Sequence, residues 1–431
     1  MTDDGSGTES MLPQAKAAAR SLEEITGIHH ERYSCCVNSC LVFTGAYVDL
    51  TACPLCDEPR FDSRQQPRKT FDFIPVIHRL RLQYADPERA IELKSYRRRL
   101  EMDEWSDGLR DYWDGDLHRE HKAQGFFADE HDIAFALSTD GLDLFKVGQF
   151  QVWPLLLVNL NLDPIVRVKK CNLIQCGIIP GPRSPKDIHS FLRPLMNEFK
   201  NQEIGGVPNV YDASTDSTFT LRFYLTLVCA DLPAMAKLMG ISGHNSLQYC
   251  RFCECEGVFS KHTYCPLQSP HDWSKEPFDY DPADLPLRTD DGYREAANTN
   301  LRYPQALDPD PPAKPPYGVS QYSSLYELAT IDFPRSFPND IMHVVFENVV
   351  PKLYKWWTGA FLKKKDDMNV ESEIYVEEND KIVLDKENKN IWKIIGQNMS
   401  SSRSTIPTSY GRSLRDIAFY NKSFKAEEWC S

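Results

Sequence analysis

Two aspartates close two short apolar runs, and they are the residues with the widest chemical reach in this chain. The runs are Ala134-Phe135-Ala136-Leu137-Ser138-Thr139-Asp140-Gly141 and Leu225-Thr226-Leu227-Val228-Cys229-Ala230-Asp231-Leu232-Pro233. Carboxylates brought together at the ends of neighbouring strands hold divalent metal and can direct it onto a phosphate. The competing use of such residues is structural, because aspartates at strand ends commonly serve as turn formers or helix N-caps. Cysteine is the second chemically loaded residue type, with 13 copies. Cys36-x3-Cys40 and Cys53-Pro54-Leu55-Cys56 are two close pairs twelve residues apart, joined by a hairpin-length run rich in β-formers, Leu41–Leu50. That spacing describes a zinc ribbon in which each pair makes one knuckle around a tetrahedral ion. Cys35 is a spare or an alternative to Cys36, and buried free cysteines are the competing explanation. A second group, Cys250-Arg251-Phe252-Cys253, has His244 before it and Cys255, His262 and Cys265 beyond it. A single close pair needs two further ligands, with His262 and His343 as candidates; a knuckle without metal is the alternative.

The elements that must position the acids can be read from pattern. Gln151–Leu162 and Val166–Ile179 are strand-like, and Pro185–Glu203 is helical, with Ile188, Phe191, Leu192, Leu195 and Phe199 near a 3.6 period. Three strands, a helix and a fourth strand, with an acid ending the first and the fourth, fit a ribonuclease-H-like fold. Ile178-Ile179-Pro180-Gly181-Pro182-Arg183-Ser184-Pro185 cannot be regular structure and must be a shaped loop, with the helix capped near Ser184 and kinked by Pro194. Pro233 opens a helix after Asp231. Upstream, Asp86-Pro87 starts a helix within Tyr84–Met102, and Asp111–Gly115 turns into a short helix at 117–124. The first of these carries Arg97, Arg98 and Arg99, which suit either phosphate contact or a solvated helix end. Arg167, Lys169 and Lys170 are placed on a strand beside the acids, as DNA contacts or as a solvated strand face. Residues 266–318 read as a proline-rich connector, and 319–362 as helical, with Asp340 either capping a helix or, with His343, facing a metal.

At 431 residues the chain has room for roughly two or three domains. Its 41% hydrophobic and 11% aromatic content supports packed cores. A formal charge of −13 argues against a protein that grips nucleic acid with its whole surface, so DNA contact must come from local basic patches or a neutralising metal. No apolar run reaches the ~20 residues of a membrane span, and Met1–Ser10 lacks a signal-peptide core, so the chain reads as intracellular. No internal repeat, glycine-rich phosphate loop or Gly-x-Ser-x-Gly elbow occurs.

From Tyr33 onward the sequence resembles the CACTA-type (En/Spm-like) transposase family in its fungal form. The resemblance rests on the order of Cys36–Cys56, Ser138-Thr139-Asp140-Gly141, Val152-Trp153-Pro154, Ile179–Asp187, Asp231-Leu232-Pro233-Ala234, Cys250-Arg251-Phe252-Cys253 and Asn339-Asp340-Ile341-Met342-His343. It implies an α/β fold: a ribonuclease-H-like mixed-sheet core with a large, mostly helical insertion and an N-terminal zinc ribbon. The division expected is a disordered 1–30, a ribbon at 31–62, a helical basic linker at 63–130, the core at 131–243, the insertion at 244–424 and the start of a final core helix at 425–431. The resemblance further implies three catalytic acids. Asp140 and Asp231 match the first two, and Glu427 is preferred over Glu428 for the third. They would hold Mg²⁺ (or Mn²⁺) for strand cleavage and strand transfer at transposon terminal repeats in the nucleus, with Zn²⁺ at the cysteine clusters and a homo-oligomer as the active form. The chain stops three residues after Glu428, so the final helix is expected to be truncated. A non-catalytic DNA- or chromatin-binding protein, or an inactive relic derived from a transposase, is therefore the alternative expectation.

Overall fold

The computed structural model describes residues 17, 21, 23–102, 108–144, 150–243, 245–260, 262–270, 275–300, 316–357, 391–402 and 415–425. The chain divides into two compact units, Met1–Pro338 and Asn339–Ser431.

The first unit is built on a mixed sheet. One strand in from its edge is β3 (Ile133–Ser138), flanked by β5 (Gln151–Asn159) and the edge strand β9 (Phe223–Cys229). Beyond β5 come β6 (Ile174–Ile179), β2 (Thr70–Phe73) and β1 (Glu31–Ser34). A short β4 (Leu142–Asp143) folds back on the start of β5. The β3–β5 and β5–β6 pairs are antiparallel, whereas β3 and β9 are parallel. A parallel pair needs a crossover, and the long helix of it here is α5 (Ile188–Ile204). β1 and β2 join the same sheet, so the segment around the first cysteine group is continuous with the core.

Strand alternation sorts the two faces. Ile133, Phe135 and Leu137 of β3 point into the main core with Phe191, Leu192, Leu195 and Phe199 of α5. Ala134 and Ala136 point the other way, against Tyr112, Trp113, Phe127 and Tyr224. That second cluster is covered by a 3-10 turn, Tyr112–Asp114, and by α3 (Asp116–Ala123), as the Asp111–Gly115 turn predicts. Two further helices precede them, α1 (Val76–Tyr84) and α2 (Pro87–Met102). Asp86 Oδ1 accepts from the amides of Glu88 and Arg89 at 2.9 and 3.2 Å, the opening expected of Asp86-Pro87.

Three local expectations are corrected. The strand expected from Val166 begins only at Ile174, because Asp163 Oδ1 accepts from Ile165 N at 3.0 Å and Pro164 opens a helical turn, α4 (Pro164–Arg167). The run Leu41–Leu50 does not make a hairpin; it holds a 3-10 turn at Gly45–Tyr47. The cap of α5 is Asp187, not Ser184, with Oδ1 accepting from Ser190 N at 3.1 Å.

Pro194 does sit inside α5, and a helix-interior proline leaves the carbonyl four residues earlier without its amide. That carbonyl belongs to Ser190, and it accepts instead from Thr44 Oγ1 at 2.9 Å, while Val42 N donates to Ser190 Oγ at 3.0 Å. The cysteine-bearing segment thus repairs the helix it packs on.

Between α5 and β9 lies a hairpin, β7 (Val207–Asp212) and β8 (Ser217–Leu221). It is pinned by a buried charge cluster. Lys94 Nζ donates to Asp212 Oδ2 at 2.5 Å and to Ser214 Oγ at 3.0 Å, and His131 Nε2 lies 2.9 Å from Asp212 Oδ2. Burial opposes ionisation of Asp212, but the bonds from Lys94, Ser214 and His131 outweigh it and hold the carboxyl below its usual range.

After β9, α6 (Leu232–Met239) is followed by a small hairpin, β10 (Val258–Ser260) and β11 (His262–Tyr264), and by α7 (Asp290–Asn300). The second unit contains a wide, π-type helix over Met342–Val349 that runs into α8 (Val350–Trp357), then α9 (Ile391–Ser401) and α10 (Ile417–Tyr420). Tyr354 and Trp392 meet edge to face there, 4.9 Å between ring centres.

Candidate metal and nucleic-acid sites

The register of the parallel pair determines where the acids go. Ser138 of β3 is paired with Cys229 of β9. Asp140 and Asp231 each lie two residues further on, so they occupy matching positions past the carboxyl ends of strands that run about 4.8 Å apart. Carried on past the strand ends, the alternation puts both on the side of Ala136 and Leu227, away from α5. The capping alternative is also realised. Asp231 Oδ1 accepts from Ala234 N at 2.8 Å and starts α6, and Asp140 Oδ1 accepts from Gly141 N at 2.6 Å. The two uses are compatible, because a carboxylate offers about four lone-pair sites and each of these bonds occupies one. Thr139, next to Asp140, is 2% exposed, and its hydroxyl has no hydrogen-bond partner among the described residues. A buried hydroxyl without a protein partner calls for a water beside it, and by the same alternation it faces the α5 side, opposite Asp140. Glu427 and Glu428 lie outside the described residues.

The proline-rich loop after β6 opens at the same end of the sheet, since Ile179 is paired with Trp153 near the start of β5. Gln151 N donates to Pro182 O at 3.1 Å. The approach is close enough that a Cβ on Gly181 would stand 2.6 Å from Gln151 O, and one on Gly141 would stand 2.6 Å from the Gln151 side chain. Lys237 of α6 donates to Ser184 Oγ at 2.7 Å and to Pro185 O at 3.2 Å, with its ammonium 5.6 Å from the centre of the Trp153 ring. Burial lowers the pKa of that ammonium. Lys237, Thr139 and Arg183 are missing from the residues picked out by sequence for this end. The signal that could have found Arg183 and Lys237 was the Pro180–Pro185 loop, whose shape demands partners.

The first cysteine group closes. Cys36, Cys40, Cys53 and Cys56 bring their sulfurs within 4.8 Å of one another, with Cys36 and Cys56 at 3.4 Å. Four thiolates around a tetrahedral ion with ~2.3 Å bonds stand about 3.8 Å apart, so the four can hold a metal and the donor set suits zinc. The two turns are backbone-closed, with Ser39 N on Cys36 O at 2.8 Å and Asp57 N on Cys53 O at 2.8 Å. Leu41, Phe43 and Tyr47 pack beside the sulfurs in a small core of their own. Cys35 is the spare: it faces the main core, and burial pushes its thiol up to about 12.

The second group is looser. Among the described residues, only the first group brings three or more potential ligand atoms within metal reach. Cys253 and Cys255 are buried, Arg288 Nε holds Cys253 O at 2.9 Å, and Cys265 Sγ lies 4.0 Å from Cys255 O. His262 is on β11, and His244 lies outside the described residues. In the second unit, His343 Nδ1 is 2.6 Å from Asp340 Oδ2 and its amide donates to Asp340 Oδ1 at 3.3 Å, which is the capping arrangement.

The basic residues are dispersed. Arg97 is buried and donates to Asp129 O and Phe127 O at 2.8 and 2.5 Å. Arg167 is buried and clamps both oxygens of Asp111. Both guanidiniums are thus used inside the protein. Arg98 and Arg99 are exposed, with partners Glu130 and Asp163. Lys169 and Lys170 are exposed, but in a turn between α4 and β6 rather than on a strand. Phe135 pairs with Asn159, so that turn lies at the sheet end opposite Asp140. The placement beside the acids is therefore corrected.

Among the described residues no helix is long and apolar enough to cross a membrane. Residues 108–265 match the profile of the family described as Transposase family tnp2. The matched stretch includes β3, β5, β6, α5, β9, α6 and the second cysteine group, and it supports a transposase-related function. No curated protein matches the chain.

Proposed function

We propose that this chain is a transposase of the CACTA type, with a ribonuclease-H-like catalytic core. The observation that carries the reading is the matched placement of Asp140 and Asp231 past two adjacent parallel strands. The strand order β6-β5-β3-β9, with α5 crossing to the last, agrees with it, and so does the family match.

Asp140 and Asp231 are proposed to hold Mg²⁺ or Mn²⁺, with Glu427 as the third acid. Metal bound there would supply activation of a water or 3′-hydroxyl and charge stabilisation on the leaving oxygen. The chain's own contribution is positional. The cap bond from Ala234 N fixes the Asp231 rotamer, and the Gly141 amide orients Asp140. Cys36, Cys40, Cys53 and Cys56 are proposed as zinc ligands. Cys250 and Cys253, with His262 among the two further ligands, are proposed as a second zinc site. Arg98, Arg99, Lys169 and Lys170 would meet DNA beyond the reacting phosphate. The protein would act in the nucleus, as a homo-oligomer, on transposon terminal repeats.

The test is a plasmid-nicking assay with the full chain. Nicking is expected with Mg²⁺ or Mn²⁺ and none with excess EDTA. DNA binding without nicking in either metal would instead favour a non-catalytic DNA-binding protein derived from a transposase.

A further inference from the structure

The loop 180–187 is sewn to the cysteine knuckle along its length. Lys186 N and Asp187 N donate to Cys40 O at 3.1 and 2.9 Å. Ser39 Oγ, one residue before Cys40, donates to Gly181 O at 2.5 Å. Lys69 Nζ donates to Ser39 Oγ at 2.7 Å, to Pro180 O at 3.2 Å and also to Gly181 O. Lys186 Nζ reaches Leu55 O, between the second pair of cysteines, at 3.0 Å. On its other side the same loop is held by Gln151 N and by Lys237, which belongs to the helix that Asp231 caps.

Four cations therefore serve this loop, and three of them are turned onto protein oxygens. Arg183 is different: it is exposed and makes no hydrogen bond or ion pair among the described residues. Its backbone follows Pro182, whose carbonyl is held by Gln151 N at the start of β5, the strand between β6 and β3, at the sheet end where Asp140 lies. A guanidinium held there by a clamped backbone suits a phosphate oxygen adjacent to one bound at the acids.

We infer that Arg183 is a phosphate-contacting residue of the acid site, and that the four-cysteine knuckle is its positioning device. Metal at the cysteines sets the Cys40 and Ser39 backbone, that backbone sets the loop, and the loop sets Arg183. This inference rests on the transposase reading.

The test measures binding of the full, zinc-loaded chain to a labelled DNA duplex by anisotropy, with Ca²⁺ in place of Mg²⁺ and at several salt concentrations. Arg183→Ala is expected to weaken binding about tenfold and to lower the salt slope by about one, with Arg183→Lys keeping most of the slope. Zinc chelation is expected to weaken the wild type to a similar extent and to add little in Arg183→Ala. Equal binding by Arg183→Ala and wild type, or an undiminished effect of chelation in Arg183→Ala, would overturn the inference. Lys69→Met keeps all four cysteines and separates positioning from unfolding. It should retain zinc and the circular dichroism of the wild type and still lose part of the Arg183-dependent affinity; full affinity in that variant also overturns the inference. Wild-type protein that binds no duplex at all sinks the transposase reading along with it.

Discussion

Asp231→Asn is expected to leave the protein folded and to reduce metal-dependent nicking by at least about 100-fold, equivalent to about 3 kcal/mol of transition-state stabilisation. The substitution separates two roles that one side chain combines. As the N-cap of α6, Asp231 accepts from Ala234 N, and asparagine caps about as well as aspartate. As a metal ligand it contributes a negative oxygen, which asparagine lacks. Asp231→Ala removes both, and should add about 1 kcal/mol of lost stability to the same loss of activity. Thermal melts of the two variants beside nicking rates make the comparison. Equal nicking by Asp231→Asn and the wild type would reduce this residue to a cap.

Cys53→Ser is expected to produce the largest structural effect. Cys53 is fully buried in the small core with Leu41, Phe43 and Tyr47, and this core is separate from the one between sheet and α5. Few apolar residues surround the sulfurs, so zinc held there would couple its binding to local folding. Losing one thiolate should drop the zinc content by one ion per chain and open residues 36–59 to protease. The damage should spread to α5, since Thr44 supplies the hydroxyl that satisfies Ser190 O beneath Pro194. A loss of about 3–5 kcal/mol, or roughly a 10 °C fall in melting temperature, follows. Cys35→Ser, by contrast, leaves the zinc count unchanged, because its thiol faces the main core.

What the chain reveals in advance, and what it hides, divides along the range of the interaction. The strands that end on Asp140 and Asp231 are legible because apolar run and stop are both local, and the parallel register then brings the acids level. The four cysteines are legible from spacing alone. Val166-Arg167-Val168 suggests a strand by composition, but the cap from Asp163 and the fixed φ of Pro164 turn it into α4. Leu41–Leu50 has the residues of a hairpin, yet the packing of Phe43 and Tyr47 beside the sulfurs goes with a 3-10 turn instead. Arg97 and Arg167 look like surface cations because their partners are distant in sequence: the carbonyls of Phe127 and Asp129 for one, Asp111 for the other. Burial of an arginine is set by such long-range acceptors, and no local pattern announces it. The same holds for Lys237 and Lys69, whose acceptors lie on a loop that composition identifies only as irregular.

Whether Asp140 and Asp231 share bound divalent metal is decided by iron-directed cleavage of the protein backbone. Fe²⁺ takes the place of Mg²⁺, and ascorbate with peroxide then generates radicals that cut the chain next to the ion. Cuts near residue 140 and near residue 231 are expected together, competed by Mg²⁺ or Mn²⁺ and both lost in Asp140→Asn. Cuts near only one of the two, or cuts at both that persist in Asp140→Asn, would contradict a shared site.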